Sequence, residues 1–308
     1  MLQRDGFIQE IYKALEQDKD IYFLSADFGA AALDDLRIRF KDNFIHCGIS
    51  EQNMIDVAVG LALEGKKVFC YAMAPFISIR ALEQIKTGPG IMGLPITLIS
   101  VGVGIGYADS GPTHYVTEEF ACLRSIVGVS IYTAADTSSA ITLAKDLIVN
   151  PHFSYVRLDR HLLPEIMEFD NRGSYRIIGN IEESNSDLRK IALISHGRML
   201  HTCHEVVSKL PNEFFAIDLI NSKPFPEDLI FLLSKIKNII VVDEQTPAGS
   251  LGAAVFEALS EKNIFPKIIN ITLPEKYFFD NVGRDGIFKA SGLTAENIIL
   301  QSERFDNN

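Results

Sequence analysis

Glu51 lies in the run GISEQNM, where a strand-like stretch over residues 43–47 turns into an amphipathic helix over residues 53–63. That helix is apolar enough to be buried, and an ionised acid in an apolar layer is strongly disfavoured unless something basic or protonatable meets it. The small residues of the run leave room for a flat group to come close. A blander role is also open to Glu51, that of a helix-initiating acid placed after Ser50 at the positive end of the helix dipole. The second chemical group is His114, which follows Gly111, Pro112 and Thr113. A Gly-Pro turn aims an imidazole into a cleft, and imidazole gains or loses its proton near neutral pH. A surface histidine beside a turn is the alternative.

The elements around these residues alternate. From residue 4 to residue 158 helical and strand-like segments follow one another as in a parallel α/β layer. Residues 7–15 read as an amphipathic helix, 21–25 as a short apolar strand, 67–72 and 96–101 as buried strands, and 138–149 as a helix. Parallel sheets bind ligands at the carboxyl ends of their strands. The loops there, 26–33, 48–53, 73–76 and 102–114, all carry polar or glycine residues that a plain connection does not need. Residues 165–188 are polar and charged and read as a boundary. Beyond it a second cycle begins, with strands at 190–195, 215–220, 238–243 and 267–271 and helices between them. The expected organisation is two doubly wound α/β domains, 1–170 and 187–308, the first with a mainly parallel sheet.

Length and composition fit that organisation. The 308 residues are 47% apolar and 22% charged, enough for two cores. The net charge is -11 with acids and bases interleaved and no basic block, which argues against nucleic acid as a partner. No apolar run is long enough to span a bilayer, and the amphipathic start MLQRDGFIQEIYKAL does not read as a secretion signal. Cys47, Cys70, Cys122 and Cys203 are widely spaced and form neither a CxxC pair nor a metal-like cluster. Buried thiols in a reducing, cytoplasmic setting are the expectation, with no membrane and no metal held by this chain's own side chains.

Three motifs together resemble the transketolase family of thiamine diphosphate enzymes: CGISEQ ending at Gln52, APFISIRALEQI beginning at Ala74, and DSGPTH ending at His114. The later runs VDEQTPAGSLGAAV and GRDGIFKASGLTAENII resemble that family's C-terminal domain, so the likeness extends from about residue 4 to the end. It implies a pyrimidine-binding domain followed by a transketolase C-terminal domain. It also implies that Glu51 shares a proton with N1' of the cofactor's aminopyrimidine and favours the imino tautomer, as a desolvated acid-base pair can. Phe76 is implied as the ring that stacks on the aminopyrimidine. One residue fewer separates Phe76 from Arg80 than in long transketolases, so Ile77 is the other candidate for that position. His114 is implied to hydrogen-bond the substrate's oxygens and to help move protons. Asp27 matches a family aspartate near the cofactor and the subunit interface. Arg4 and Arg157 fall near substrate-phosphate positions; Arg157 is the better of the two, because a guanidinium forks well onto phosphate.

The departures fall on the substrate side. Ser110 stands where classical transketolases have an aspartate four residues before the histidine, with Asp109 displaced by one, and Gly102 stands where they have a phosphate-binding histidine. Gly102, Gly104 and Gly106 mimic the start of a dinucleotide fingerprint, but the third glycine comes too early and the run continues into SGPTH rather than a helix. The family's GDG motif with its spaced asparagine, which holds Mg2+ and the diphosphate, is absent; the DG pairs at Asp5 and Asp285 lack the preceding glycine. The expectation is therefore a split enzyme. A diphosphate-binding N-terminal subunit would hold Mg2+ and complete the site in a heterotetramer of two of each chain, the chain also self-associating through the same fold. The expected reaction moves a two-carbon ketol unit from a ketose, as its phosphate, to an aldehyde. Alternatives are a deoxyxylulose phosphate synthase, a 2-oxo-acid dehydrogenase β subunit, and a non-catalytic partner subunit.

Overall fold

The computed structural model describes residues 1–26, 31–181, 190–280 and 282–305. The chain divides into two compact units, Met1–Glu165 and Ile166–Asn308.

In the first unit the strands are β1 (Ile21–Ser25), β2 (Phe44–His46), β3 (Lys67–Met73), β4 (Ile96–Val101), β5 (Ser130–Thr133) and β6 (Ser154–Leu158). They run in the order β5-β6-β4-β3-β1-β2, each parallel to its neighbour. Every residue of β4 and β6 is buried, as expected of a parallel sheet covered on both faces. The helices are α1 (Gln3–Gln17), α2 (Asp34–Arg39), α3 (Glu51–Leu63), α4 (Leu82–Ile85), α5 (Glu119–Arg124) and α6 (Thr137–Val149). Phe7, Ile11 and Leu15 recur at helical spacing on α1 and are fully buried, each contributing about 1.5–3 kcal/mol of transfer free energy. α1 packs on α6. The start of α6 is fixed by Asp136, whose carboxylate accepts from the Ser139 N–H while the Ser139 hydroxyl bonds back.

The second unit has β7 (Asp170–Asn171), β8 (Arg176–Ile178), β9 (Ile191–Ser195), β10 (Phe214–Asp218), the short β11 (Asn221–Lys223), β12 (Asn238–Val242) and β13 (Lys267–Ile271). Its sheet order is β13-β12-β9-β10-β8-β7, parallel through β13-β12-β9-β10 and antiparallel at β8 and β7. β7 and β8 lie inside the polar stretch that reads as a boundary. The helices are α7 (Arg198–Lys209), α8 (Glu227–Leu233), α9 (Leu251–Ser260), α10 (Gly283–Ser291) and α11 (Ala295–Ser302). No helix among the described residues is long and apolar enough to cross a membrane.

Candidate active site in the first unit

Glu51 is the first residue of α3, and its side chain is 2% exposed. Ser50 makes no side-chain cap. Glu51 Oε2 instead accepts a hydrogen bond from Arg80 Nη1 at 2.8 Å. Arg80 closes a π-helical turn, Phe76–Arg80, that follows the end of β3. Such wide turns re-aim side chains and are common at functional sites. Arg80 Cζ lies 4.0 Å from the centroid of the Phe76 ring, a cation–π contact. The Phe76 ring meets the His114 ring edge-on at 5.6 Å and 74°. Glu51, Arg80, Phe76 and His114 thus form one continuous chain of contacts drawn from the loops after β2, β3 and β4.

Ile77, the other candidate for the stacking position, is fully buried, whereas Phe76 is half-buried. The aromatic face near Glu51 therefore belongs to Phe76. His114 is held by the Gly111 turn, its N–H bonding to the Gly111 carbonyl at 3.0 Å, and its Nδ1 lies 2.8 Å from Thr113 Oγ1.

The glycines after β4 serve packing. Gly102 has φ +81°, and a Cβ there would fall 2.0 Å from a ring carbon of Tyr107. A Cβ on Gly106 would press on the Gly102 backbone at 3.0 Å. The loop folds on itself rather than opening a phosphate-binding helix. Tyr107 in turn carries the Arg160 guanidinium, Cζ 4.3 Å from its ring centroid. Arg160 grips both oxygens of exposed Asp109 at 2.8 and 3.2 Å. This hydrogen bond holds the Asp109 carboxyl below the usual aspartate range. Ser110 is exposed beside it.

Arg157, expected at a substrate phosphate, is placed differently. Its side chain is 1% exposed and its Nε donates to fully buried Glu119 Oε1 at 2.8 Å, with Nη1 on Thr133 Oγ1 at 3.0 Å and Phe120 beneath. As a β6 residue flanked by buried neighbours it spends its fork inside the fold, away from the surface position expected of a substrate-phosphate ligand. Arg4 Nε bonds Asp5 at 2.9 Å, and burial, which alone would lower its pKa, is outweighed by Tyr71 and Asp5. Asp27 lies outside the described residues.

Sequence reasoning missed Arg80 and Arg160. Arg80 was legible as the basic residue four positions after Phe76, once a buried Glu51 demands a cation. Arg160 follows β6 at its carboxyl end, where parallel sheets place binding groups. In the second unit it also missed a buried set: His196 Nε2 lies 3.1 Å from Asp243 Oδ1, and Asp243 Oδ2 accepts the Leu251 N–H at 2.9 Å at the start of α9. Among the described residues no group of three or more His, Cys, Asp or Glu is placed to hold a metal ion.

Comparison with known proteins adds the family context. Residues 2–165 match the family described as transketolase, pyrimidine binding domain, and residues 180–298 match transketolase, C-terminal domain. The chain is 29% identical over 307 residues to one of the subunits of an apulose-4-phosphate transketolase from Phocaeicola vulgatus, covering 98% of this chain and 96% of that protein. It is 25% identical to a putative transketolase C-terminal section of Methanocaldococcus jannaschii, covering 96% and 93%. A 1-deoxy-D-xylulose-5-phosphate synthase of Parasynechococcus marenigrum is 26% identical, over 88% of this chain and 42% of that protein. Among solved structures, a split-gene transketolase described as an inactive beta4 tetramer superposes with a TM-score of 0.81 at 22% identity, covering 99% and 97%. At that identity the likeness shows the fold: two α/β domains with mainly parallel sheets.

Proposed function

The chain belongs to the transketolase family, and from that premise we propose that it is the pyrimidine-binding and C-terminal subunit of a split transketolase. Its reaction is the transfer of a two-carbon ketol unit from a ketose phosphate to an aldehyde. The observation that carries this reading is a buried carboxylate, Glu51, with a planar cation between it and an aromatic face, and His114 against the same ring. The family implies thiamine diphosphate, and these residues fit its aminopyrimidine: a buried acid to meet a ring nitrogen and an aromatic face to stack on. When bound, the cofactor supplies the carbon nucleophile that carries the two-carbon unit.

The chain's own residues do the rest. Glu51, shielded from water, would hold a proton against ring N1' when the cofactor is bound, a contact that a low dielectric makes stronger than in bulk water. Phe76 gives the ring a face, worth about 0.5–1.5 kcal/mol beyond area burial. His114, from a rigid turn, hydrogen-bonds substrate oxygens and moves protons to and from them. Ser110 and Asp109 line the substrate side, and the phosphate-binding role expected of Arg157 falls to Arg160, whose guanidinium reaches the surface beside Asp109. Asp27 keeps its cofactor-side assignment by resemblance alone.

The diphosphate and Mg2+ are assigned to a second polypeptide, completing the site in a heterotetramer. Support comes from the match over nearly the full length of a Phocaeicola vulgatus relative that is itself named as a transketolase subunit. The test is co-expression with a diphosphate-binding chain, followed by two-carbon transfer assays with thiamine diphosphate, Mg2+ and a panel of ketoses and aldehydes. Transfer is expected only from the mixture and is lost in Glu51→Gln. Turnover only with pyruvate would replace this reading with the synthase or dehydrogenase alternatives.

A further inference from the structure

We propose that Arg80 is a stand-in for the cofactor's aminopyrimidine: its guanidinium fills the slot between Phe76 and Glu51, and the ring enters only by exchanging with it. The inference rests on the proposed role of Glu51.

A single guanidinium makes both contacts, Nη1 to Glu51 Oε2 at 2.8 Å and Cζ to the Phe76 centroid at 4.0 Å. At 4.0 Å the two planar groups are in van der Waals contact, so no second flat group fits on that face of the ring while Arg80 covers it. The chemistry of occupant and newcomer is alike. Guanidinium and the aminopyrimidine carrying a proton on N1' are both planar cations, both present an N–H edge that a carboxylate accepts, and both stack on an aromatic face.

The two ends of the pair differ in exposure, which makes exchange the natural route. Arg80 is 41% exposed and Glu51 only 2%. The arginine can swing into water at little cost in hydration, whereas the carboxylate cannot follow it and would be left buried and unpaired. Arg80 is therefore released only as another N–H donor arrives. The Arg157–Glu119 pair shows the contrast: with both partners at 1% or less, neither can leave. The same contact keeps the buried Glu51 paired before the slot receives its ring, at the expense of apparent affinity, because the incoming ring must displace Arg80.

The test uses the full chain and the hydroxymethyl-aminopyrimidine half of thiamine, which needs no diphosphate-binding partner. Its affinity is measured by calorimetry or ligand-observed NMR for the wild type, Arg80→Met, Arg80→Lys and Glu51→Gln. Removing the stand-in is expected to tighten binding about tenfold in Arg80→Met. Arg80→Lys, with a compact ammonium that does not lie flat on the ring, is expected to fall between the two. Equal or weaker binding by Arg80→Met would overturn the proposal and make Arg80 a ligand or a bystander. If Glu51→Gln weakens binding in that case, the reading of Glu51 survives alone. If the ring binds no variant, both fall. Should Arg80→Met not fold, guanidinium 15N NMR of the wild type decides: the slowly exchanging Arg80 signal should be lost as the ring binds, and its persistence in the saturated complex would overturn the proposal.

Discussion

Two buried glutamates of the first unit meet arginines, and their surroundings set different consequences for the same kind of pair. Glu119 and Arg157 are both out of water, so removing one leaves an uncompensated charge in the core. Arg157→Met is expected to cost about 3–5 kcal/mol in denaturant unfolding, the signature of a scaffold residue; an unchanged midpoint would reopen a substrate role for it. Glu51 faces a wet arginine and an aromatic ring, an arrangement suited to exchange. On the substrate side, the Asp109 carboxyl is depressed by its hydrogen bond from Arg160. A depressed carboxyl contributes its pairing above the unfolded pKa and loses it as pH falls through the folded one. NMR titration should find the Asp109 midpoint below its ordinary value of 3.8 in the wild type and restored in Arg160→Ala; equal midpoints would show that the pair does not persist in solution. At this scale the sequence singled out Glu51, Phe76 and His114 through their motifs, and the structure brings the three together through Arg80. It did not expose Arg160 or the burial of Arg157, and it pointed to Arg80 only through the need of a buried Glu51 for a cation. A charged residue's partner depends on which loops the fold brings together, and the apolar neighbours of Arg157 on β6 gave no sign of Glu119.

At the scale of elements, the π-helical turn Phe76–Arg80 and the loop after β4 do the positioning. The wide turn sets Phe76 half-open and Ile77 inward, a choice that residue spacing left undecided. The loop depends on Gly102, where φ is +81° and the Tyr107 ring occupies the place of a Cβ. Gly102→Ala is expected to cost more than about 1 kcal/mol and, by displacing Tyr107, to loosen Arg160 from Asp109. Unfolding measured alongside the Asp109 titration checks both, and an alanine variant with wild-type stability would refute the packing argument. Periodicity located the parallel core well: residues 21–25, 96–101 and 267–271 read as strands and are β1, β4 and β13. It failed where apolar runs were short or polar. β7 and β8 hide in a charged stretch because they lie at the antiparallel end of the second sheet, with β7 exposed. β5 and β6 were passed over because Ser, Thr and Arg interrupt their apolar alternation.

For the molecule as a whole, each unit carries its own sheet and core, and a buried thiol reports on each. Cys70 sits in β3 and Cys203 in α7, both fully buried, while Cys47 and Cys122 are half-buried. Burial pushes the Cys203 thiol up to about 12 and raises that of Cys70 as well, so both stay protonated and unreactive at neutral pH. Native labelling with a thiol reagent should reach Cys47 and Cys122 first and the other two only with unfolding. Early labelling of Cys203 would mean that the second unit opens on its own.

The central claim is that Glu51 works on the cofactor's ring across an interface with a diphosphate-binding chain. Hydrogen–deuterium exchange at thiazolium C2, followed by NMR in the assembled complex, reads that claim without a sugar substrate. The wild-type complex should exchange this proton at least about a hundredfold faster than the complex carrying Glu51→Gln, the scale of acid–base catalysis by one positioned group. Equal exchange rates in two complexes that both hold the cofactor would contradict it.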